Sequence, residues 1–158
     1  MSDLDICMTV AEQTQVERRE WLAVLARADT AVLERAAAGR ELPPYESVRA
    51  AEFGMVMLRG RMGGTGDAFN LGEATVTRSA VRVGERLGVG YTLGRDARKA
   101  ELIALFDALL QDPHRRTSLL GELVEPLADA QARRREQASR AAAASRVDFF
   151  TMVRGEAA

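Results

Sequence analysis

The spacing of apolar residues changes character along the chain. From Thr14 onward, apolar side chains recur at Trp21, Leu22, Leu25, Val32, Leu33 and Ala36, close to a 3.6-residue period, which predicts one amphipathic helix. Thr14 with Glu17 three residues later forms a capping box at its start. Gly39 suits the position just past its end. Residues 1–13 are expected to be a short extra turn or a loose tail. Leu42-Pro43-Pro44 reads as a linker, because paired prolines exclude helix.

The middle third reads as strands. Met55-Val56-Met57-Leu58 is a short apolar run leading to Arg59-Gly60-Arg61, and Gly63-Gly64-Thr65-Gly66 makes a tight loop after it. Glu73 to Val83 is rich in Thr and Val and predicts the longest strand. Val89, Tyr91 and Leu93 alternate with Gly88, Gly90 and Thr92, which predicts a third strand with one buried face. The short connections favour an antiparallel meander.

Helix returns at Asp96, a suitable N-cap, with a stripe of Leu102, Ile103, Phe106, Leu109 and Leu110 and a stop at Pro113. A further helix carries Leu119, Leu120, Leu123 and Val124, and Pro126 interrupts it or opens the next. Ala128 to Ala144 is strongly helix-forming, and Ser145 to Arg154 reads as extended. The order predicts an α+β fold, with an antiparallel meander sheet, helices packed on it and an extended C-terminal strand. All of residues 1–158 form one domain in this reading.

Composition narrows the function classes. Hydrophobic residues are 47% and charged residues 28%, as in a globular domain, and the formal net charge is −1. That balance excludes a strongly basic nucleic-acid coat and a polybasic membrane binder. Lys99 is the single lysine, so an anion site here relies on the planar guanidinium of arginine. Cys7 and His114 are the single cysteine and histidine, which excludes an intrachain disulfide and a cysteine-rich metal site, and no metal or catalytic residue is expected. Met1 to Val10 has no basic stretch of the secretory type, and no apolar run approaches about 18 residues, so a cytoplasmic protein is expected.

The sharpest local feature is Arg59-Gly-Arg61-Met-Gly63-Gly64-Thr65-Gly66. Glycines let backbone N–H groups crowd toward an anion, and flanking arginines suit a phosphate. It is no Walker loop, since no Gly-Lys-Ser/Thr follows. A strand, a glycine loop and a strand are also what a plain hairpin looks like. Arg78 shares a strand face with Ala74, Val76, Ala80 and Arg82, and Arg59 and Arg61 share one with Met55 and Met57. Such arginines want an internal carboxylate, a ligand phosphate or another chain.

In the C-terminal segment Val147, Phe149 and Val153 lie on one face, and Phe150 and Met152 on the other, among Arg146, Asp148 and Arg154. A terminal strand apolar on both faces suits pairing with a partner or an internal place under helices. Arg133 to Arg135 fit a solvated helix face, His114 an exposed loop, Asp96 a cap and Asp107 a solvent-facing helix position.

Three blocks carry a family resemblance. They are Arg59-Gly-Arg-Met-Gly-Gly-Thr-Gly through Phe69-Asn-Leu-Gly-Glu-Ala-Thr-Val-Thr-Arg78, then Gly90-Tyr-Thr-Leu-Gly-Arg-Asp96 with Phe106-Asp-Ala-Leu109, then Ser145-Arg-Val-Asp-Phe-Phe-Thr-Met-Val-Arg-Gly155. The chain resembles PhnG, the G subunit of the bacterial carbon–phosphorus lyase system for phosphonate catabolism, from about Trp21 to Gly155.

The resemblance implies a core complex with H, I and J subunits, in which G, H, I and L support the first chemical step. There a phosphonate displaces adenine from C1 of the ATP ribose, giving ribose 1-phosphonate 5-triphosphate. It implies that the I subunit carries the nucleosidase-like activity and is the most direct partner. It further implies that the J subunit uses an iron–sulfur cluster with S-adenosylmethionine, and that this chain binds no cofactor of its own and serves mainly in assembly. The anion candidates are then Arg59, Arg61, Gly63, Gly64, Thr65, Gly66 and Arg78, and the partner-interface candidates Val147, Phe149, Phe150, Met152, Val153 and Arg154. Two other classes compete. A stand-alone anion- or nucleotide-binding domain on Gly63–Gly66 would bind ATP or phosphonate by itself. A nucleic-acid binder on Arg133–Arg135 would show steep salt dependence, against which the near-zero charge counts.

Overall fold

In the computed structural model the described residues are 10–144. Their order is α1 (Val10–Ala26), α2 (Thr30–Ala38), β1 (Glu46–Arg61), β2 (Ala68–Val83), β3 (Arg86–Leu93), α3 (Ala97–Leu110), α4 (Pro113–Leu119) and α5 (Glu125–Ala144). A 3-10 turn at Met62–Gly64 joins β1 to β2, and a π turn at Leu120–Val124 joins α4 to α5. The sheet is an antiparallel meander in the order β1-β2-β3, as the sequence predicts. The extended segment expected at Ser145–Arg154 lies outside the described residues.

The single helix expected from Thr14 to Ala36 is two helices. It opens at Val10, so Thr14 lies inside α1 rather than at its cap. It breaks after Ala26, where Arg27 N and Ala28 N bond the carbonyls of Val24 and Leu25 in a tightened last turn. Asp29 is extended, at φ −73° and ψ 138°, and starts α2. The apolar period survives the break because Trp21, Leu25, Leu33 and Ala37 all bury into one core. A pattern of contacts with a common core does not report a change of helix direction.

The core centres on α3. Every residue from Leu102 to Leu110 is buried, because the sheet, α1, α2 and α4 surround this helix. The five-residue stripe expected for α3 is therefore too narrow. Asp96 caps the helix as expected, its carboxylate accepting from Lys99 N at 2.8 Å. Pro113 both ends α3 and opens α4, with Asp112 as N-cap to His114 N. His114 is exposed but sits in the first turn of α4, not in a loop.

The strand face turned to α3 is the one that apolarity alone does not suggest. Gly88, Gly90 and Thr92 of β3 are buried under α3, beside Thr77, Ser79 and Val81 of β2. A Cβ on Gly88 would stand 1.9 Å from Ala104 O, and one on Gly90 would stand 1.9 Å from Ala100 O. The two glycines, with Ala100, Ala104 and Ala108 opposite, let helix and strand backbones meet almost directly. Val89, Tyr91 and Leu93 consequently face away, and Leu93 is 71% exposed. The alternation predicts strand and period correctly, but the buried face is the glycine face.

Candidate functional site

β3 pairs with β2 only over Val76–Val83. Beyond it β1 and β2 continue as a two-stranded arm, from Gly54 opposite Val76 out to Arg61 opposite Ala68. The strand expected at Met55–Leu58 thus lies within a strand of 16 residues. A register shift at Leu58/Arg59 sets Arg59 opposite Asn70 and gives the arm a bulge at Leu71. Both faces of the arm are apolar and exposed. Met55 and Met57 occupy one, next to Phe53 at the base, and Val56, Leu58 and Phe69 the other. An isolated hairpin is marginal in water, and a contiguous exposed apolar surface marks an interaction site.

The second apolar surface is the sheet face opposite α3. Val76, Tyr91 and Leu93 lie there, and the three also help to line a shallow groove that takes in Thr92, Lys99 of α3 and Ala23, Ala26 and Arg27 at the end of α1. Tyr91 and Leu93 are respectively 52% and 71% exposed.

The Gly63–Gly66 stretch is the turn at the tip of the arm. Gly63 takes φ 60°, which favours glycine, and Gly66 N bonds Met62 O at 2.9 Å. Arg61 Nη1 donates to Gly66 O at 3.2 Å. The Arg59 side chain has no hydrogen bond or ion pair to another described residue, while its backbone pairs opposite Asn70. Arg78 is elsewhere. Its Nε donates to Glu52 Oε1 at 2.7 Å, and Arg49 Nη1 reaches the same oxygen at 2.7 Å. Arg78, followed by Arg49, holds the Glu52 carboxyl below its ordinary range. Arg78 faces Glu52 while Arg59 faces Asn70 on the opposite side of the ribbon. The eight residue steps along β2 from Asn70 to Arg78 set them about 25 Å apart. The candidate anion residues therefore form two groups. Arg59, Arg61, Gly63, Gly64, Thr65 and Gly66 gather at the tip, and Arg78 forms a separate ion pair at the base. Val147, Phe149, Phe150, Met152, Val153 and Arg154 lie outside the described residues.

Asp107 corrects the sequence reading most sharply. It is fully buried rather than solvent-facing. Its carboxylate accepts from Arg18 Nε at 3.1 Å and Nη2 at 2.6 Å, from Trp21 Nε1 at 2.9 Å and from Val89 N at 2.9 Å. One side chain thus ties α1, α3 and the outer edge of β3. The available signal was a lone carboxylate inside Leu102-Ile-Ala-Leu-Phe-Asp107-Ala-Leu-Leu110, where every neighbour is apolar.

Among the described residues no three of His, Cys, Asp and Glu group closely enough to hold a metal ion. No helix among them is long and apolar enough to cross a membrane.

Comparison with known families decides the lineage. The sequence model described as "Phosphonate metabolism protein PhnG" matches residues 16–155. The chain belongs to the PhnG family. A curated relative in Rhizobium meliloti (strain 1021) is 45% identical over 157 residues, covering 97% of this chain and 99% of its own. Its name is alpha-D-ribose 1-methylphosphonate 5-triphosphate synthase subunit PhnG. The PhnG match runs through the arm, the Asp107 network and α5, so all described elements from α1 onward fall within or reach into it.

Proposed function

We propose that this chain is a non-catalytic subunit of an α-D-ribose 1-methylphosphonate 5-triphosphate synthase assembly, held there by its arm and open sheet face. The observation that carries this reading is the 45% identity across 97% of the chain to a protein named as a subunit of that synthase. The exposed apolar arm supports it, since a subunit needs surface that only partners cover. The buried carboxylate supports a structural role, because all its contacts are structural donors. In this proposal the partners are the H, I and J subunits, with I in direct contact. ATP and a phosphonate meet on the assembly, and the iron–sulfur and S-adenosylmethionine chemistry belongs to J.

In this proposal Arg59 and Arg61, which have no carboxylate partner among the described residues, are the arginines available to an anion. Arg78 is already neutralised by Glu52. The tip's hydrogen bonds close its own turn, which favours a partner-dependent site over a stand-alone nucleotide pocket.

The test is co-expression of the full chain with the other synthase subunits, read by size-exclusion chromatography with mass detection. The full chain is expected in a large assembly. A chain that stays alone beside an otherwise complete assembly overturns the proposal. A chain truncated after Ala144 tests Val147–Arg154 as interface residues. Their part in the proposal fails if the truncated chain assembles equally well.

A further inference from the structure

The two free edges of the sheet are treated differently. On β3, Leu87 O accepts from Arg18 Nη2 at 3.1 Å and from Gln111 Nε2 at 2.9 Å, and Val89 N donates to Asp107. Those side chains occupy backbone groups that another strand would need. On β1 every residue from Glu52 to Arg59 is exposed. In an edge strand alternate N–H and C=O groups point outward, so this stretch offers a row of them to a further strand.

We infer that Gly54–Arg61 of β1 receives an extended strand from a partner subunit, which adds a fourth strand to the sheet and carries a carboxylate near the tip. This rests on the subunit reading above. Met55 and Met57 flank the edge on one face, and Val56 and Leu58 on the other, so an incoming strand finds apolar neighbours for both its faces. A helix laid on the arm would cover only one face. Methionines adapt their shape to a partner at small cost. Charge selects the acid. Beyond Glu52, β1 carries only Arg59 and Arg61, both cationic. The arm's two carboxylates, Asp67 and Glu73, lie on the β2 side, with β1 between Glu73 and the open edge.

The experiment compares amide hydrogen exchange at Gly54–Arg61 in the isolated full chain and in the co-expressed assembly. Alternate amides are expected to slow by about 100-fold on assembly. Met57→Lys places a charge at a half-exposed site, and the paired Arg59→Glu and Arg61→Glu change reverses the tip. Each is expected to lose co-elution while keeping the melting temperature of the isolated chain. Unchanged exchange within an intact assembly overturns the strand inference and leaves the subunit reading standing. A wild-type chain that enters no assembly overturns both. Protection in the isolated chain that rises with its concentration assigns the edge to a second copy. Protection there that vanishes on truncation after Ala144 assigns it to residues 145–158. Either result overturns a partner strand.

Discussion

Replacing Asp107 with alanine tests the architecture where most elements converge. The side chain is 0% exposed and receives five hydrogen bonds, the longest from Gln111 Nε2 at 3.5 Å, while Arg18 remains 27% exposed. Removal strands the Trp21 and Val89 N–H groups, at about 1–3 kcal/mol for each buried donor left unpaired. Breaking a buried ion pair from one side costs about 3–5 kcal/mol. These costs overlap, and Arg18 recovers some hydration at its exposed end. A net loss of about 3–5 kcal/mol follows, against a total stability of about 5–15 kcal/mol. For a domain of this size that lowers Tm by about 6–20 °C. Thermal and urea unfolding, followed by circular dichroism, measure it. Gln111→Ala is the milder comparison at the rim of the same network, since its half-buried amide donates to Leu87 O, to Asp107 O and, at 3.5 Å, to Asp107 Oδ2, and its loss costs about 1 kcal/mol. An Asp107→Ala chain within about 1 kcal/mol of wild type would refute the reasoning.

Gly90→Ala places a Cβ 1.9 Å from Ala100 O and 2.8 Å from Ala104 N, so α3 must lift off the sheet. A loss of about 3 kcal/mol or more, or insoluble expression, is expected, and an unchanged Tm contradicts the close approach. Asp96 has its carboxyl lowered first by the Thr30 hydroxyl, which donates at 2.5 Å, and then by Lys99 N. Its contribution is therefore present above the ordinary carboxylate value of about 4 and is lost as pH falls through its lower folded-state value. Thr30→Val should destabilise at pH 7 and converge with wild type near about pH 2, as read by urea midpoints across pH. A constant difference across that range contradicts the assignment. Arg78→Met should let the Glu52 carboxyl rise toward its ordinary range in an NMR titration, with little change in Tm. No rise would mean that Arg49 alone holds it.

Much of this fold is written locally. Asp96 is an N-cap by residue type and position, and it caps α3. The strand periods and short connections specify the meander, because each turn joins neighbours. What stays hidden depends on the other side of a contact. Val89, Tyr91 and Leu93 look like a core face until α3 is known to sit on Gly88 and Gly90. Asp107 looks like a solvated helix position until Arg18 and Trp21 arrive from 89 and 86 residues away. The α1–α2 break escapes notice because both helices feed one core. The tip turn was legible as either a hairpin or an anion loop, and its internal bonds are those of a hairpin turn. The separation of Arg78 from Arg59 was not legible, since it follows from strand length and register.

The most direct measurement is adenine release from ATP and methylphosphonate by the remaining synthase subunits, with and without this chain, and by this chain alone. The expected result is release only when the chain joins the others, and none from the isolated chain. Full release without it, or release by the chain alone, would contradict the proposed role of a non-catalytic subunit required by the assembly.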